Sequence, residues 1–324
     1  MRFLIYGAGA VGGVIGGRLF QAGHDVTLIA RGAHGEALRE RGLELIAGES
    51  VATLPIPTVG HPSELELTSG DVVVLAMKTQ DTAPALAALA ADAPPDIRIV
   101  CAQNGVENER LALRRFEHVY AMVVMCPSSH LQPGQVVAHW APVSGLLDLG
   151  CYPSGVDGGA VEIAAALAGA TFGSEPRPDI LRWKYRKLLM NLANAAIALC
   201  GRGGLRPLVE LLQAEGEACL RAAGIEATTV DEDSARRGEL TLGSTSHGSR
   251  AHADSSSQSL ARQLGSIETD YLNGEIVLLG RLHGVATPAN AVVQRLANEA
   301  ATARRPPGGL VVDAVLAEIA GIAG

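Results

Sequence analysis

The feature that most constrains this chain is its opening. An apolar run at residues 2–6 breaks at Gly7-Ala8-Gly9-Ala10-Val11-Gly12 and continues as VIGGRLFQAG. Val11, Ile15 and Leu19 recur at helical spacing, Gly23 ends the segment, and HDVTLIA at 24–30 reads as a second strand. A G-x-G-x-x-G pattern alone is a weak signal. Here it follows a strand, opens a helix and begins a β–α–β unit, the context in which its physics is specific. Gly7 permits the tight turn, Gly9 leaves room for a pyrophosphate, and Gly12 lets helix and strand pack closely. The helix N-terminus adds unpaired N–H groups and partial positive charge. Residues 7–12 are therefore read as a dinucleotide cradle.

The residue after the second strand selects the dinucleotide. A carboxylate there binds the ribose 2′-hydroxyl and favours NAD. This chain has Ala30-Arg31-Gly32, with no acid until Glu36. A guanidinium pairs with a 2′-phosphate through charge-assisted hydrogen bonds, so Arg31 predicts NADP(H).

Further apolar runs at 72–76, 97–102 and 119–125 alternate with Ala- and Leu-rich helical segments at 82–91 and about 107–115. That alternation predicts a Rossmann-type α/β domain with a parallel, doubly wound sheet. The short strands between 119 and 150, such as QVVAHWA and SGLLDLG, read as an extension of the same sheet, closed by a helix at about 158–168. Residues 173–178, GSEPRP, have the composition of a linker. Helical periodicity then holds over 179–200, 205–223, 259–283, 288–303 and about 310–321, so the second half is predicted to be all-α. The predicted domains are 1–172 and 173–324. The Ser-, Gly- and His-rich stretch 241–259 fits either a loop or a helix entry.

Composition removes several function classes. The chain has 324 residues, enough for about two domains. With 26 Lys+Arg against 34 Asp+Glu, the net charge of −8 disfavours nucleic acid, and 3% aromatics disfavour a base-stacking platform. The apolar opening from Leu4 to Gly17 is shorter than the ~20 residues that span a bilayer, so no membrane association is expected. The five cysteines are odd in number and form no CxxC pair. They read as reduced thiols in a cytoplasmic protein rather than a zinc site or disulfide framework. The nine histidines show no metal-ligand spacing.

Ligands of doubly wound sheets bind beyond the carboxyl ends of the strands. Lys78 in AMKTQDT and Asn104 in AQNGVENE fall there. Lys78 suits a cofactor or a substrate carboxylate, or else it is an exposed lysine. Asn104 suits a nicotinamide ribose or carboxamide, or else it belongs to an Asn-Gly turn. In the apolar helix 179–200, Lys184, Lys187, Asn191 and Asn194 fall on one face. Such a stripe lines a wet cleft, locks into a hydrogen-bonded core, or in its first turns forms a solvated helix start. Glu268 precedes a long apolar helix, where a carboxylate in a first turn is favoured by the helix dipole.

The motifs GAGAVGG at 7–13, AMKTQDT at 76–82, QNGVENE at 103–109, RKLLMNLAN at 186–194 and IETDYLNGEIVLLGRLHGVATPAN at 267–290 run nearly end to end. With them the chain resembles the ketopantoate reductase (2-dehydropantoate 2-reductase) family, whose helical C-terminal domain is 6-phosphogluconate dehydrogenase-like. The resemblance implies that Lys187 is the general acid protonating a ketone oxygen. It implies substrate binding by Asn191 and Glu268, and cofactor and substrate contacts from Lys78 and Asn104. Asn194 falls one residue before the family's second substrate asparagine, and counting a dozen residues back from Glu268 gives Ser256 as the substrate serine. The implied reaction is NADPH-dependent reduction of a small 2-oxo acid, foremost 2-dehydropantoate to pantoate. Another 2-oxo acid, imine or ketone, or a non-catalytic NADP(H) sensor, remains as the alternative. A homodimer is compatible with the chain and not decided by it.

Overall fold

The apolar run at the N-terminus forms β1 (Arg2–Tyr6), the centre of a seven-stranded sheet. The structure, a computed structural model, describes residues 1–238, 254–263 and 265–323. Residues 241–253 of the Ser- and His-rich stretch lie outside the described residues. After β1 come α1 (Ala10–Gln21), β2 (Asp25–Ile29), α2 (Gly32–Arg41), the hairpin β3 (Leu43–Ala47) and β4 (Ser50–Leu54), and β5 (Thr58–Val59). Then follow β6 (Asp71–Leu75), α3 (Thr82–Leu89), β7 (Arg98–Cys101), α4 (Asn108–Leu113) and β8 (His118–Met122). The chain continues through β9 (Ser128–Ser129), β10 (Gln135–Ala138), β11 (Gly145–Leu146), β12 (Leu149–Cys151), α5 (Gly158–Gly169) and β13 (Phe172–Gly173).

The main sheet has the order β12-β8-β7-β6-β1-β2-β5, all parallel except for β12. The order reverses between β1 and β6, where a doubly wound sheet opens its ligand crevice. Phe3, Leu4 and Ile5 have no exposed surface, as expected of a parallel strand covered on both faces. Their two-residue alternation feeds two cores. Phe3 and Ile5 join α1 and α5 on one face, while Leu4 and Tyr6 join α3 and α4 on the other.

The strands of 119–150 depart from expectation. Only β8 and β12 extend the main sheet. β9 and β10 instead pair with β3 and β4 in a separate four-stranded sheet, β10 lying parallel to β3, and β11 pairs with β13. The second sheet exists because α1 is apolar and small on two faces. A Cβ at Gly16 would lie 2.8 Å from Leu28 of the main sheet, and one at Gly13 would lie 2.7 Å from Val136 of β10. A Cβ at Gly17 would lie 3.1 Å from Leu45 of β3.

The linker-like segment 173–178 is tied down. Leu147 N–H bonds to the Gly173 carbonyl at 2.8 Å, and Arg177 N–H to the Leu149 carbonyl at 2.8 Å. Then come α6 (Ile180–Cys200), α7 (Arg206–Ala222), α8 (Val230–Arg237), α9 (Ser255–Ala261), α10 (Asn273–His283), α11 (Pro288–Thr302) and α12 (Val312–Ala323). The single helix expected over 259–283 is broken. Gln263 at φ +51° and Gly265 at φ +78° leave helical backbone, and a 3₁₀ turn at Glu268–Tyr271 intervenes before α10. The chain divides into two compact units inside α6. Met1–Trp183, with the segment that begins at Val230, forms one, and Lys184–Thr229, with the C-terminal helices, forms the other. Among the described residues, no helix is long and apolar enough to cross a membrane.

α8 was not expected from the sequence, and it docks on the first unit through charge. Arg236 donates to both oxygens of buried Asp148, at 2.9 and 2.7 Å, and Arg177 donates to Asp148 at 2.7 Å. Arg177 also stacks over Trp183, 4.2 Å from the ring centroid. Burial pushes the Asp148 carboxyl up, but its bonds to Arg236 and Arg177 outweigh burial and hold it below the ordinary carboxylate range. A depressed pKa contributes stability above the unfolded value, and that stability is lost as pH falls through the folded one. Asp148→Asn is therefore expected to melt several degrees lower at neutral pH, since it removes the buried carboxylate that both arginines share and leaves them only the more exposed Glu175. Thermal melts across pH should show this gap narrowing below about pH 4.

Candidate active site

The site residues of the first unit collect at the carboxyl ends of β1, β2, β6 and β7. Tyr6, Ile29, Leu75 and Cys101 are successive partners across these strands, so the loops after them start level. Gly7 turns with φ +98°, and a Cβ there would lie 2.6 Å from the backbone nitrogen of Met77. A Cβ at Gly12 would lie 2.2 Å from the Gly7 carbonyl oxygen. Gly9 faces the other way: a Cβ there would meet nothing within 4 Å. The loop is thus packed tightly behind and open above Gly9. α1 begins at Ala10, so the N–H groups of Ala10, Val11 and Gly12 have no intrahelical acceptor, and its first turn holds no acidic residue. Ala8 packs into the core beneath. This arrangement fits an anion such as a pyrophosphate.

Arg31 is the N-cap residue of α2 and is exposed. Its charge reaches Tyr6, whose phenol is pushed up by burial and drawn down by Arg31. Lys78 precedes a 3₁₀ turn at Thr79–Asp81, and both Lys78 and Asn104 are half-buried. A buried polar network joins their loops. Gln103 donates to the Met77 carbonyl at 2.9 Å and to Thr82 Oγ1 at 2.7 Å. Thr82 donates to Asn108 Oδ1 at 2.8 Å, and Asn108 Nδ2 donates to Thr79 Oγ1 at 3.1 Å and to the Asn104 carbonyl at 3.2 Å. Sequence reasoning passed over Gln103, Asn108 and the threonines. Their only local sign was polar residues between a buried strand and the first turn of the helix that follows it.

In the second unit the stripe on α6 is not a solvated helix start. Lys184 and Asn191 are buried, while Lys187 and Asn194 are half-buried. Glu268 is likewise buried, at 6% exposure, rather than an open first-turn carboxylate. Its turn is held beside α6 by amides. Thr269 donates to Asn273, and Asn273 Nδ2 donates to the Leu192 carbonyl at 3.2 Å and to Asn290 Oδ1 at 3.0 Å. The Leu192 carbonyl ties the Glu268 turn to α6, the helix that carries Asn191. Of the neighbouring serines, Ser257 is spent on the Asp254 cap of α9. Ser256 is 2% exposed, and its hydroxyl has no partner among the described residues.

The sheet order and glycine loop define a Rossmann-type α/β domain, joined here to a helical one. A family model described as ketopantoate reductase PanE/ApbA matches residues 3–154, and one described as its C terminal matches residues 179–301. The 2-dehydropantoate 2-reductase of Caulobacter vibrioides is 30% identical over 310 residues, covering 92% of this chain and 98% of its own. That of Pyrococcus horikoshii is 28% identical over 299 residues, covering 91% and 96%. A PanE/ApbA family ketopantoate reductase from Ralstonia eutropha JMP134 superimposes with a TM-score of 0.77 at 28% identity, covering 94% of this chain and 99% of that one. A D-mandelate dehydrogenase in a ternary structure with NADH and anilino(oxo)acetate shares the fold, with a TM-score of 0.80 at 23% identity over 94% of this chain and 99% of that one. The chain belongs to the ketopantoate reductase family and is an oxidoreductase.

Asn108→Ala would strip partners from Thr79, Thr82 and the Asn104 carbonyl, at a cost of about 2 kcal/mol. Hydrogen exchange should then quicken over 76–82 and 103–108, with residues 10–21 of α1 unchanged.

Proposed function

We propose that this chain reduces a 2-oxo acid to the 2-hydroxy acid with NADPH, and that the substrate is 2-dehydropantoate, giving pantoate. The observation that carries this reading is the buried polar face of α6. Asn191 is buried on that helix, which also bears Lys187, and the turn of a buried carboxylate, Glu268, is tied to the same helix through the Asn273 bond to the Leu192 carbonyl. A plain structural helix gains nothing from burying such a set. Family membership of the whole chain supports it.

Gly7, Ala8, Gly9, Ala10, Val11 and Gly12 would hold the pyrophosphate through the open N–H groups above Gly9. Arg31 would hold the 2′-phosphate, and Lys78 and Asn104 the nicotinamide end. When bound, the reduced nicotinamide supplies the hydride. Negative charge then develops on the carbonyl oxygen, and the Lys187 ammonium stabilises it and donates the proton. Glu268 accepts a hydrogen bond from the substrate hydroxyl. Asn191, Asn194 and Ser256 supply further polar contacts that orient the substrate.

Initial rates with 2-dehydropantoate beside other branched 2-oxo acids test the substrate; activity on none of them overturns the reading. Lys187→Ala should lower kcat by about 10²–10³ while NADPH still binds in a fluorescence titration. Arg31→Ala should raise the KM for NADPH by roughly 10–100-fold and leave that for NADH nearly unchanged, since a charge-assisted bond contributes ~1.5–3 kcal/mol. A parent enzyme that prefers NADH would remove Arg31 from its role.

A further inference from the structure

The backbone of the glycine loop is clamped by a side chain from the neighbouring helix. His34, in the first turn of α2, places Nε2 2.7 Å from the Ala8 carbonyl oxygen. Its other ring nitrogen, Nδ1, accepts the Gly134 N–H at 2.9 Å. A backbone N–H bonds only to a ring nitrogen that carries no hydrogen. The proton of the neutral ring is therefore on Nε2, donated to Ala8. The ring is half-buried and rests against His130, with centroids 4.1 Å apart. His130 Nδ1 in turn lies 3.1 Å from the Gln135 carbonyl oxygen. Gly134 sits at the tip of the β9–β10 hairpin, where φ is +85° and a Cβ would lie 3.2 Å from Ala37 of α2. His34 is thus a strut between the second sheet and the glycine loop.

Its point of attachment matters. Ala8 lies between two glycines, Gly7 and Gly9, the residues with the widest backbone freedom. A trans peptide is planar, so its carbonyl and N–H point opposite ways. Fixing the Ala8 carbonyl toward His34 fixes the Gly9 N–H away from it. Gly9 is the residue whose surface is open. A loop held in its binding conformation before the ligand arrives does not spend binding energy on ordering.

We propose that His34 is a positioning residue for the dinucleotide: through the Ala8 carbonyl it holds the glycine loop in the form that receives the pyrophosphate. This rests on the reading of residues 7–12 as the cofactor cradle. The test is NADPH titration by fluorescence together with steady-state kinetics on the parent, His34→Ala, His34→Gln and His34→Asn. A Gln amide reaches where Nε2 stands, and an Asn amide only where Nδ1 stands. His34→Ala is expected to weaken NADPH binding about three- to tenfold, the loss of one hydrogen bond, with kcat at saturating NADPH and the KM for the 2-oxo acid unchanged. His34→Gln should restore most of the affinity and His34→Asn little of it.

An affinity of His34→Ala indistinguishable from a parent that does bind NADPH overturns this inference and leaves the cradle intact. A parent that binds no NADPH overturns both. If His34→Ala does not fold, the Gln and Asn variants decide alone, and a Gln variant binding no tighter than Asn overturns the proposal.

Discussion

The close approach of α1 to two sheets at once is the constraint on which the first unit depends. A helix normally stands off its sheet by the width of its side chains. Here paired glycines, 12–13 and 16–17, remove that width on both faces. One face meets Ile5 and Leu28 of the main sheet, and the other meets Val136, Leu43 and Leu45 of the second. Because the helix lies so near β1, the turn joining them has no room for a side chain at Gly7 or Gly12. The donors at the helix start are therefore presented at the carboxyl end of the central strands. Because the second sheet is drawn equally close, its hairpin tip reaches α2 and, through His34, the loop itself.

Away from the helix, the loops that bear functional side chains are held by buried amides and hydroxyls rather than by apolar packing. Gln103 and Asn108 satisfy the backbone carbonyls of Met77 and Asn104, so Lys78 and Asn104 project from braced loops. The second unit uses the same device. Glu215 accepts the N–H groups of Ala289 and Asn290 at the start of α11, and Asn290 and Asn273 carry the chain of bonds to the Leu192 carbonyl. A backbone carbonyl left bare in a core costs more than the bond that satisfies it gains. Such networks therefore specify one arrangement of the loops. Apolar contacts, being non-directional, would tolerate several.

Charge has a different task in this molecule. The Asp148, Arg177 and Arg236 cluster joins segments far apart in the chain, with Trp183 stacked at its edge. It holds α8 in the first unit, to which the chain returns after Lys184–Thr229 of the second. The composition of residues 173–178 suggested a free linker. Backbone pairing with β11 and β12 and the Asp148 bonds make it part of the body instead.

Much of the fold was legible in the chain itself, because it rests on local physics. The β–α–β opening, the strands at 72–76 and 97–102, the end of α1 near Gly23 and the long helices follow from spacing of two or 3.6 residues and from glycine stops. Lys187, Asn191 and Glu268 were picked out on pattern and family resemblance, and the burial of Asn191 and Glu268 came only with the tertiary structure. What the chain could not show were pairings between distant residues. β10 could have joined either sheet by its own sequence, and the small faces of α1 decided it. Nothing near His34 marks it as a partner of Gly134, 100 residues away. Hydrogen bonds of that kind are chosen by which surfaces the packed elements bring together. Local periodicity therefore wrote the elements, and only their packing chose which polar atoms would meet.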